Sequence, residues 1–468
     1  MNKLIYSFLF FIFISSIATA QNNSVTPSPT ALKTVGLSMV AATSVKDHLP
    51  FEVYTPDSIN WEPESDAEYV KLHSYFDEPI ELGHIEIKSC EGKSLNGLVT
   101  FFVNFNELSD QLGRYTYLYN FQTPVAARSL TFNFNDNTNL CVSEIKLFDA
   151  HNNQYHFQVP RITSGTVTAS STLEPVGSYD VINLFDSRFE NAWASNGKGK
   201  GEFLNFEFAG TERIEKIKIW NGYQRSDVHC YSNSRPKTLK LEGDNGYLLN
   251  VMVKDIMGSQ VVNLDKPFVG THLKMTVVDA YPGKTYSDLV ISELRFFDGK
   301  EWFQLDPTPL LKRLSLDNRA AFQKAGLDML LNKSWKGGHA QVTDPKKQKY
   351  GDWTFRFRSD GGLYVEGYNE GESTDQNFDA LGNYEVKEAS PNHLKLRIFG
   401  FLRKQISEIE GDCNGCGRDC NRPDNASGDT KKLFQDIITV SKQNNKVVIE
   451  NNEKIKNLKF EKLELDIE

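Results

Sequence analysis

Val167 to Lys237 reads VTASSTLEPVGSYDVINLFDSRFENAWASNGKGKGEFLNFEFAGTERIEKIKIWNGYQRSDVHCYSNSRPK. A small-residue strand, TASSTL, meets a loop of Pro, Gly, Ser and Tyr. Then come NLFDSRFENAW, a glycine-rich turn and two alternating runs, FLNFEF and IEKIKIW. Apolar residues at every second position predict strands with one buried face. The loops between them are rich in Asn, Tyr, Arg and Gly, which suits a ligand rim carried on a β scaffold.

Working back towards the N-terminus, the same pattern recurs. EYVKLHSYFDEPIELGHIEIK aligns with EFLNFEFAGTERIEKIKI, setting Leu82, Ile85 and Ile87 opposite Ile214, Ile217 and Ile219. The closing runs also match, VSEIKLFDAHNNQYHF against ISELRFFDGKEWF. This is an internal repeat, and it predicts two tandem copies of one sandwich. The first copy lacks the WNGYQRS and NSRPK blocks and the glycine turn, so its framework is kept and its loops are trimmed.

The order of short blocks ASST, NLFD, AW, GKGEF, WNGYQ, NSRPK, AYPGKTYSD and ISELRFFDG resembles the discoidin-like, factor V/VIII type C family. Within it, the chain is most similar to the NADase-type glycan-binding domain. The resemblance spans Arg161 to Leu305 and implies a jelly-roll β-sandwich that binds carbohydrate through its loops. It also implies a bacterial source. The family is named for a domain attached to an NADase, and no stretch here resembles that enzyme. Similar domains carry Asp-Gly after the NLF block, whereas here Ser187 follows Asp186.

Glycan binding needs planar amides and guanidiniums to pair with hydroxyls, and aromatic faces to stack on a sugar ring. The second copy offers Asn221, Tyr223, Gln224, Arg225, Asn233, Arg235, Tyr281 and Tyr286 as glycan-binding candidates. Arginine suits a carboxylated sugar. Asn221 could equally serve the turn it begins, and Trp193 and Trp220, each beside a core strand, are expected to be packed. The resemblance further implies a structural calcium ion near the NLFD block. Asp186, Glu190, Asn191 and Glu293 are the candidate ligands for the six to eight oxygens that calcium takes.

The outer parts of the chain set the context. Met1 to Ala20, with Lys3, an apolar run and the site Ala18-Thr19-Ala20, predicts a signal peptide and a secreted, periplasmic or cell-surface protein. No later segment is apolar for long enough to span a bilayer. Net charge is −9 with 24% charged residues, which argues against a nucleic-acid partner. There is no G-x-S-x-G, H-E-x-x-H or Walker A motif, so no enzyme is expected.

In an exported chain six cysteines favour disulfides. Cys90 and Cys141, near the ends of two core strands, are the expected pair. Cys230 stands in a polar loop, and Cys413, Cys416 and Cys420 crowd the stretch Gly411 to Asp429. That stretch reads as a stapled hairpin loop rather than a zinc site, because a fourth ligand is missing nearby.

The expected architecture is all-β: a signal peptide (1–20), a flexible lead (21–34), a degenerate discoidin-like sandwich (35–158) and a glycan-binding one (159–307). A linker with a short helix (308–334) follows, in which Asp317 would be the N-cap and Ala321, Phe322, Ala325 and Met329 form one face. Residues 335–468 predict an antiparallel meander of six to eight strands, either a small lipocalin-like barrel, an open sheet or a sandwich. The expected partners are glycans or glycoconjugates. Two alternatives stand beside that reading: a scaffold that contacts a surface protein, or sandwiches that target a ligand-binding or enzymatic C-terminal domain.

Overall fold

The computed structural model describes residues 32–468, apart from 43–48, 56–59, 64–68, 96–97, 104–105, 112–114, 136–139, 175–178, 189–190, 198, 225–226, 334, 338–349, 371–373, 409–431, 452–461 and 467–468. The expected signal peptide, most of the lead and Cys413, Cys416 and Cys420 lie outside the described residues.

The two halves of the repeat share one strand path. In the first, the order runs Asn106–Gln111, Leu98–Val103, Thr116–Asn135, Tyr69–Ser89, Val142–Phe148, Gln154–Gln158, Leu32–Ala42. In the second it runs Tyr247–Met252, Arg235–Gly243, Ser259–Tyr281, Phe203–Asn221, Val290–Phe297, Trp302–Leu305, Arg161–Thr163. The last link is parallel in both and joins the first strand of the copy to its last. Leu32 to Thr34, read from sequence as the end of a flexible lead, belong to this closing pair.

The register matches too. The long strand Tyr69–Ser89 slips against its neighbour between Tyr75 and Ile80 and again between Leu82 and His84. Phe203–Asn221 does so between Glu207 and Glu212 and between Ile214 and Lys216. With Leu82 set opposite Ile214, both slips coincide. Such bulges bend a strand, and here they let one strand serve two layers. Phe203–Glu207 pairs with the far end of Ser259–Tyr281 and with Gly165–Ala169, while Lys216–Trp220 pairs with Val290–Phe297. The layers close face to face on aromatic rings: Phe206 and Phe208 meet Phe296 edge-on at 5.4 and 5.9 Å. Each such ring removed from water contributes roughly 1.5–3 kcal/mol.

The C-terminal unit is an eight-stranded antiparallel meander from Trp335–Gly337 to Lys462–Asp466, each strand beside the next. Its first and last strands come together, so the sheet is a nearly closed barrel. The turns fall where the sequence places them: Asn392, Asn444, Asn445 and Gly361 all take positive φ, a backbone shape that Asn and Gly tolerate best. The preceding helix is longer than expected, Thr308–Lys324, and Asp317 lies inside it rather than at its cap. It starts earlier because the Asp306 carboxylate accepts the Thr308 N–H at 2.9 Å and a proline opens the first turn. It stops at Gly326 (φ 64°), where Leu327 N–H bonds back to Phe322 O at 2.9 Å. Phe322 then packs on Phe357 and Tyr384 (5.9 and 5.7 Å) as part of the barrel core. Among the described residues no helix is long and apolar enough to cross a membrane.

The first sandwich meets the second through its bulge. Asp77, within the slip after Tyr75, accepts two hydrogen bonds from Lys218 Nζ at 2.8 and 2.7 Å. Nearby, Glu52 lies close enough to Asp306 to feel its charge. Burial pushes the Glu52 carboxyl up to about 7; a Leu49 backbone hydrogen bond pulls it down in part, and Asp306 adds to the rise. The folded chain therefore binds this proton more tightly than the unfolded one. Stability falls as pH climbs from about 4.5 to about 7, and the loss is complete above that window. Glu52→Gln should recover roughly 1–2 kcal/mol at alkaline pH, less than the full shift because solvent partly screens the group, and almost nothing at pH near 4. Urea titration at the two pH values checks this, and an equal effect at both would exclude it.

Candidate functional site

The two copies hold the same strand end by different means. Cys90 N–H bonds to Cys141 O at 3.2 Å in the first, and Gly222 N–H to Val290 O at 3.1 Å in the second. In the first copy the junction is covalent as well: Cys90 and Cys141 form the expected disulfide, with Cα atoms 5.5 Å apart. The second copy places a glycine there. Gly222 takes φ 77°, and a Cβ on it would sit 2.9 Å from both Arg235 Cδ and Cys230 O.

A buried polar network replaces the covalent link. Asn221 donates to Pro236 O (3.0 Å) and Lys254 O (3.2 Å). Gln224 donates to Asn221 O (2.7 Å) and accepts from Gly258 N–H (2.8 Å). Arg235 clamps Asp255 with Nε at 2.6 Å and Nη2 at 3.1 Å, and its guanidinium reaches the carbonyls of Cys230, Asn233 and Pro282. Asn221, Gln224 and Arg235 are 0, 5 and 4% exposed. Their side chains are turned inward and hold the loops together. Tyr223, 5% exposed, packs with Ala192, Ala194 and Val290 and with half-buried Leu173 and Tyr179. Trp193 and Trp220 are fully buried, as expected. Cys230 is buried and unbridged.

The surface above this network is built by the short helix Asp227–Ser232 and the loop from Tyr281 to Asp288. Lys284 N–H bonds to Tyr231 O (2.9 Å), and Thr285 and Tyr286 N–H both bond to Ser232 O (3.0 and 2.8 Å). Gly283 is required by contact, since a Cβ there would fall 2.1 Å from Tyr286 O. Tyr286 stands 42% exposed. The Tyr231 ring takes Arg235 at 5.2 Å and Lys284 Nζ at 5.6 Å. Asn233, half-buried, donates its amide to Asp288. Burial raises the Asp288 carboxyl, and the hydrogen bonds it accepts draw it part of the way back. Tyr281 donates to Val253 O at 3.1 Å. Arg225 lies outside the described residues.

Of the expected glycan-binding residues, Asn233, Tyr281 and Tyr286 come together on this surface. Tyr231, Lys284 and Asp288 are rim groups that sequence reasoning missed. Lys284 and Asp288 stand inside the AYPGKTYSD block, and that membership was the available signal.

The four proposed calcium ligands are only partly brought together. Asp186 and Glu293 lie close, with both burial and the Asp186 charge pushing the Glu293 carboxyl well above its usual range and Arg295 opposing them. Asp186 Oδ1 accepts Arg188 N–H (2.8 Å), and Oδ2 accepts the Asn191 amide (2.7 Å). Asn191 Oδ1 accepts from Asn383 of the barrel at 3.1 Å. Glu190 lies outside the described residues. Among the described residues no three acidic, His or Cys side chains are grouped to hold a metal. The Asp186 and Asn191 oxygens already receive N–H groups, whereas both Glu293 oxygens are buried without a hydrogen bond among the described residues; two such groups fall short of the six to eight oxygens that calcium takes.

Residues 160–297 match the family model described as the NAD glycohydrolase translocation F5/8 type C domain. The second sandwich matches the model of an F5/8 type C domain. No curated protein matches the chain in sequence. Among solved structures, the CBM32-1 and CBM32-2 domains of Clostridium perfringens ZmpB in complex with GalNAc are similar at 9% identity, over 56% of this chain and 90% of that one, TM-score 0.24. The family 32 CBM of C. perfringens NanJ in complex with galactose gives 16%, 28% and 90%, TM-score 0.23. A fucolectin from striped bass (Morone saxatilis) serum gives 12%, 55% and 94%, TM-score 0.19. Overlaps this loose carry no argument; the F5/8 type C match rests on the family model.

Proposed function

We propose that the chain is an exported, non-catalytic carbohydrate-binding protein whose F5/8 type C domain takes a glycan at the rim of Tyr231, Tyr286, Lys284, Asn233 and Asp288. The observation that carries this reading is a preformed rim. Three backbone hydrogen bonds fix the Tyr281–Asp288 loop on the helix, so an exposed aromatic face and a carboxylate–amide pair are held ready at little ordering cost. Tyr286 offers its ring to the C–H face of a sugar. Asp288 accepts hydrogen bonds from its hydroxyls, Asn233 offers its amide to them, and Lys284 adds a positive charge beside them. The first sandwich acts as a spacer, held by its disulfide. Residues 1–20 direct export. The barrel core is filled by Trp353, Phe355, Phe357 and the helix residue Phe322, which favours a structural barrel over a carrier of apolar ligands.

The test is a glycan array probed with the full chain lacking residues 1–20. Tyr286→Ala should weaken binding at least tenfold and leave the thermal midpoint unchanged, since the side chain is exposed. Binding untouched by this change would remove the rim from the reading. A blank array, with a protein captured instead, would favour the surface-protein alternative. Binding abolished by EDTA would restore a role for calcium.

A further inference from the structure

The segment of the F5/8 type C domain that lies beneath the rim is also the one that grips the barrel. Arg188 Nη2 lies 2.8 Å from Asp360 Oδ2. Asn383 donates to Asn191 at 3.1 Å. Arg397 reaches Glu174 at 3.3 Å. Arg188, Asn191 and Asn383 are 4, 6 and 8% exposed, so the first two contacts are sheltered from water. The barrel side is itself stiffened. Asp360 receives Arg358 Nη2 at 2.9 Å and Gly362 N–H at 3.0 Å within one tight turn. Although burial alone would raise it, the two guanidiniums hold the Asp360 carboxyl well below the usual carboxylate range.

Asn191 N–H bonds to Arg188 O at 3.3 Å, and from Asn191 a series of contacts leads to the rim. Ala192 and Ala194 form the floor on which Tyr223 and half-buried Tyr179 pack. Leu173 N–H bonds to Ala194 O at 2.8 Å. Ser195 exchanges hydrogen bonds with Leu289: N–H to O at 2.8 Å, and Leu289 N–H to Ser195 Oγ at 3.1 Å. Leu289 follows Asp288, the rim carboxylate that holds Asn233.

We propose that the barrel is a positioning element for the rim, with Asp360 and Asn383 as its positioning residues: they fix Arg188 and Asn191, and through residues 192–195 they fix Asp288 and the loop that bears Tyr286. The glycan half of this inference rests on the function proposed above; the mechanical half does not. The ion pair and the amide contact act in parallel, so losing one loosens the segment and losing both frees it. The barrel thus contributes to glycan affinity without touching the sugar.

Hydrogen exchange of the full chain, read at 185–195 and at 281–290, tests the mechanical half. Asp360→Asn should speed exchange in both segments by about tenfold, and Asn383→Ala should do so more mildly. Arg188→Gln, which leaves the turn of Arg358, Asp360 and Gly362 intact, should speed exchange in both segments as much as Asp360→Asn does, an effect that a merely destabilised barrel would not produce. Affinity for the best glycan on the array should fall roughly tenfold in Asp360→Asn and equally in Arg188→Gln. Faster exchange at 185–195 with none at 281–290 would overturn the proposal, as would unchanged affinity in a chain whose rim has loosened. If the wild-type chain binds no glycan, exchange alone decides the coupling, and it is the carbohydrate reading that fails.

Discussion

Replacing Cys90 and Cys141 together with alanine lowers the stability of the first sandwich by about 4 kcal/mol and leaves the second sandwich where it was. The bridge spans a sequence separation of 51 residues. Removing such a link returns to the unfolded chain the loop entropy it had lost, which for this length is about 4 kcal/mol at room temperature. The second sandwich has no such dependence, because Gly222 and Val290 occupy the matching junction and Cys230 is unbridged. Calorimetry with and without reductant should therefore show the transition of one sandwich moving down while the other holds. A change below about 1 kcal/mol would mean that strand pairing alone holds the first copy closed.

Arg235→Ala should cost about 3–5 kcal/mol and loosen the loop end of the second sandwich, by analogy with breaking any sheltered ion pair from one side. The change strips Asp255 of its partner and leaves the carbonyls of Cys230, Asn233 and Pro282 without their donor. Arg235→Lys should recover little, since an ammonium cannot reproduce two parallel bonds to Asp255 and still reach three carbonyls. Denaturant titration of both variants, beside glycan binding, separates the two roles an arginine could have here. A variant as stable as the wild type that no longer binds sugar would return Arg235 to the rim.

That arginine shows what a sequence can and cannot convey. Alternation and recurrence are written in residue type at short range, so the repeat, the strands and the disulfide between Cys90 and Cys141 were legible. The correspondence of Leu82, Ile85 and Ile87 with Ile214, Ile217 and Ile219 was legible for the same reason: all six are buried. What residue type does not convey is direction. Asn221, Gln224 and Arg235 have the chemistry of sugar ligands and equally that of a buried brace, and only the approach of Asp255 and Gly258 from the loop after Tyr247–Met252, and of the Pro236 carbonyl, decides between them. The helix start was missed on a more local point. Asp317 looked like a cap, but the Asp306-Pro-Thr-Pro run offers a cap and a proline opening together, and that pair governs. The contacts of Asp360 and Asn383 with the second sandwich join positions far apart in sequence, and no periodicity encodes them.

The parallel closing pair of each sandwich bears on how the chain acquires its shape in time. Leu32–Gly36 must wait for Gln154–Gln158, and Arg161–Thr163 for Phe303–Leu305. Contacts this far apart in sequence make for slow folding, because chain entropy is lost before the contact repays it. Yet each wait is confined to its own copy, since neither closing strand borrows a partner from the other. A chain emerging N-terminus first can seal the first sandwich before the second is complete. Two near-identical strand paths in one polypeptide would otherwise invite exchange of partners; closure within each copy keeps the wrong pairings late and the right ones early.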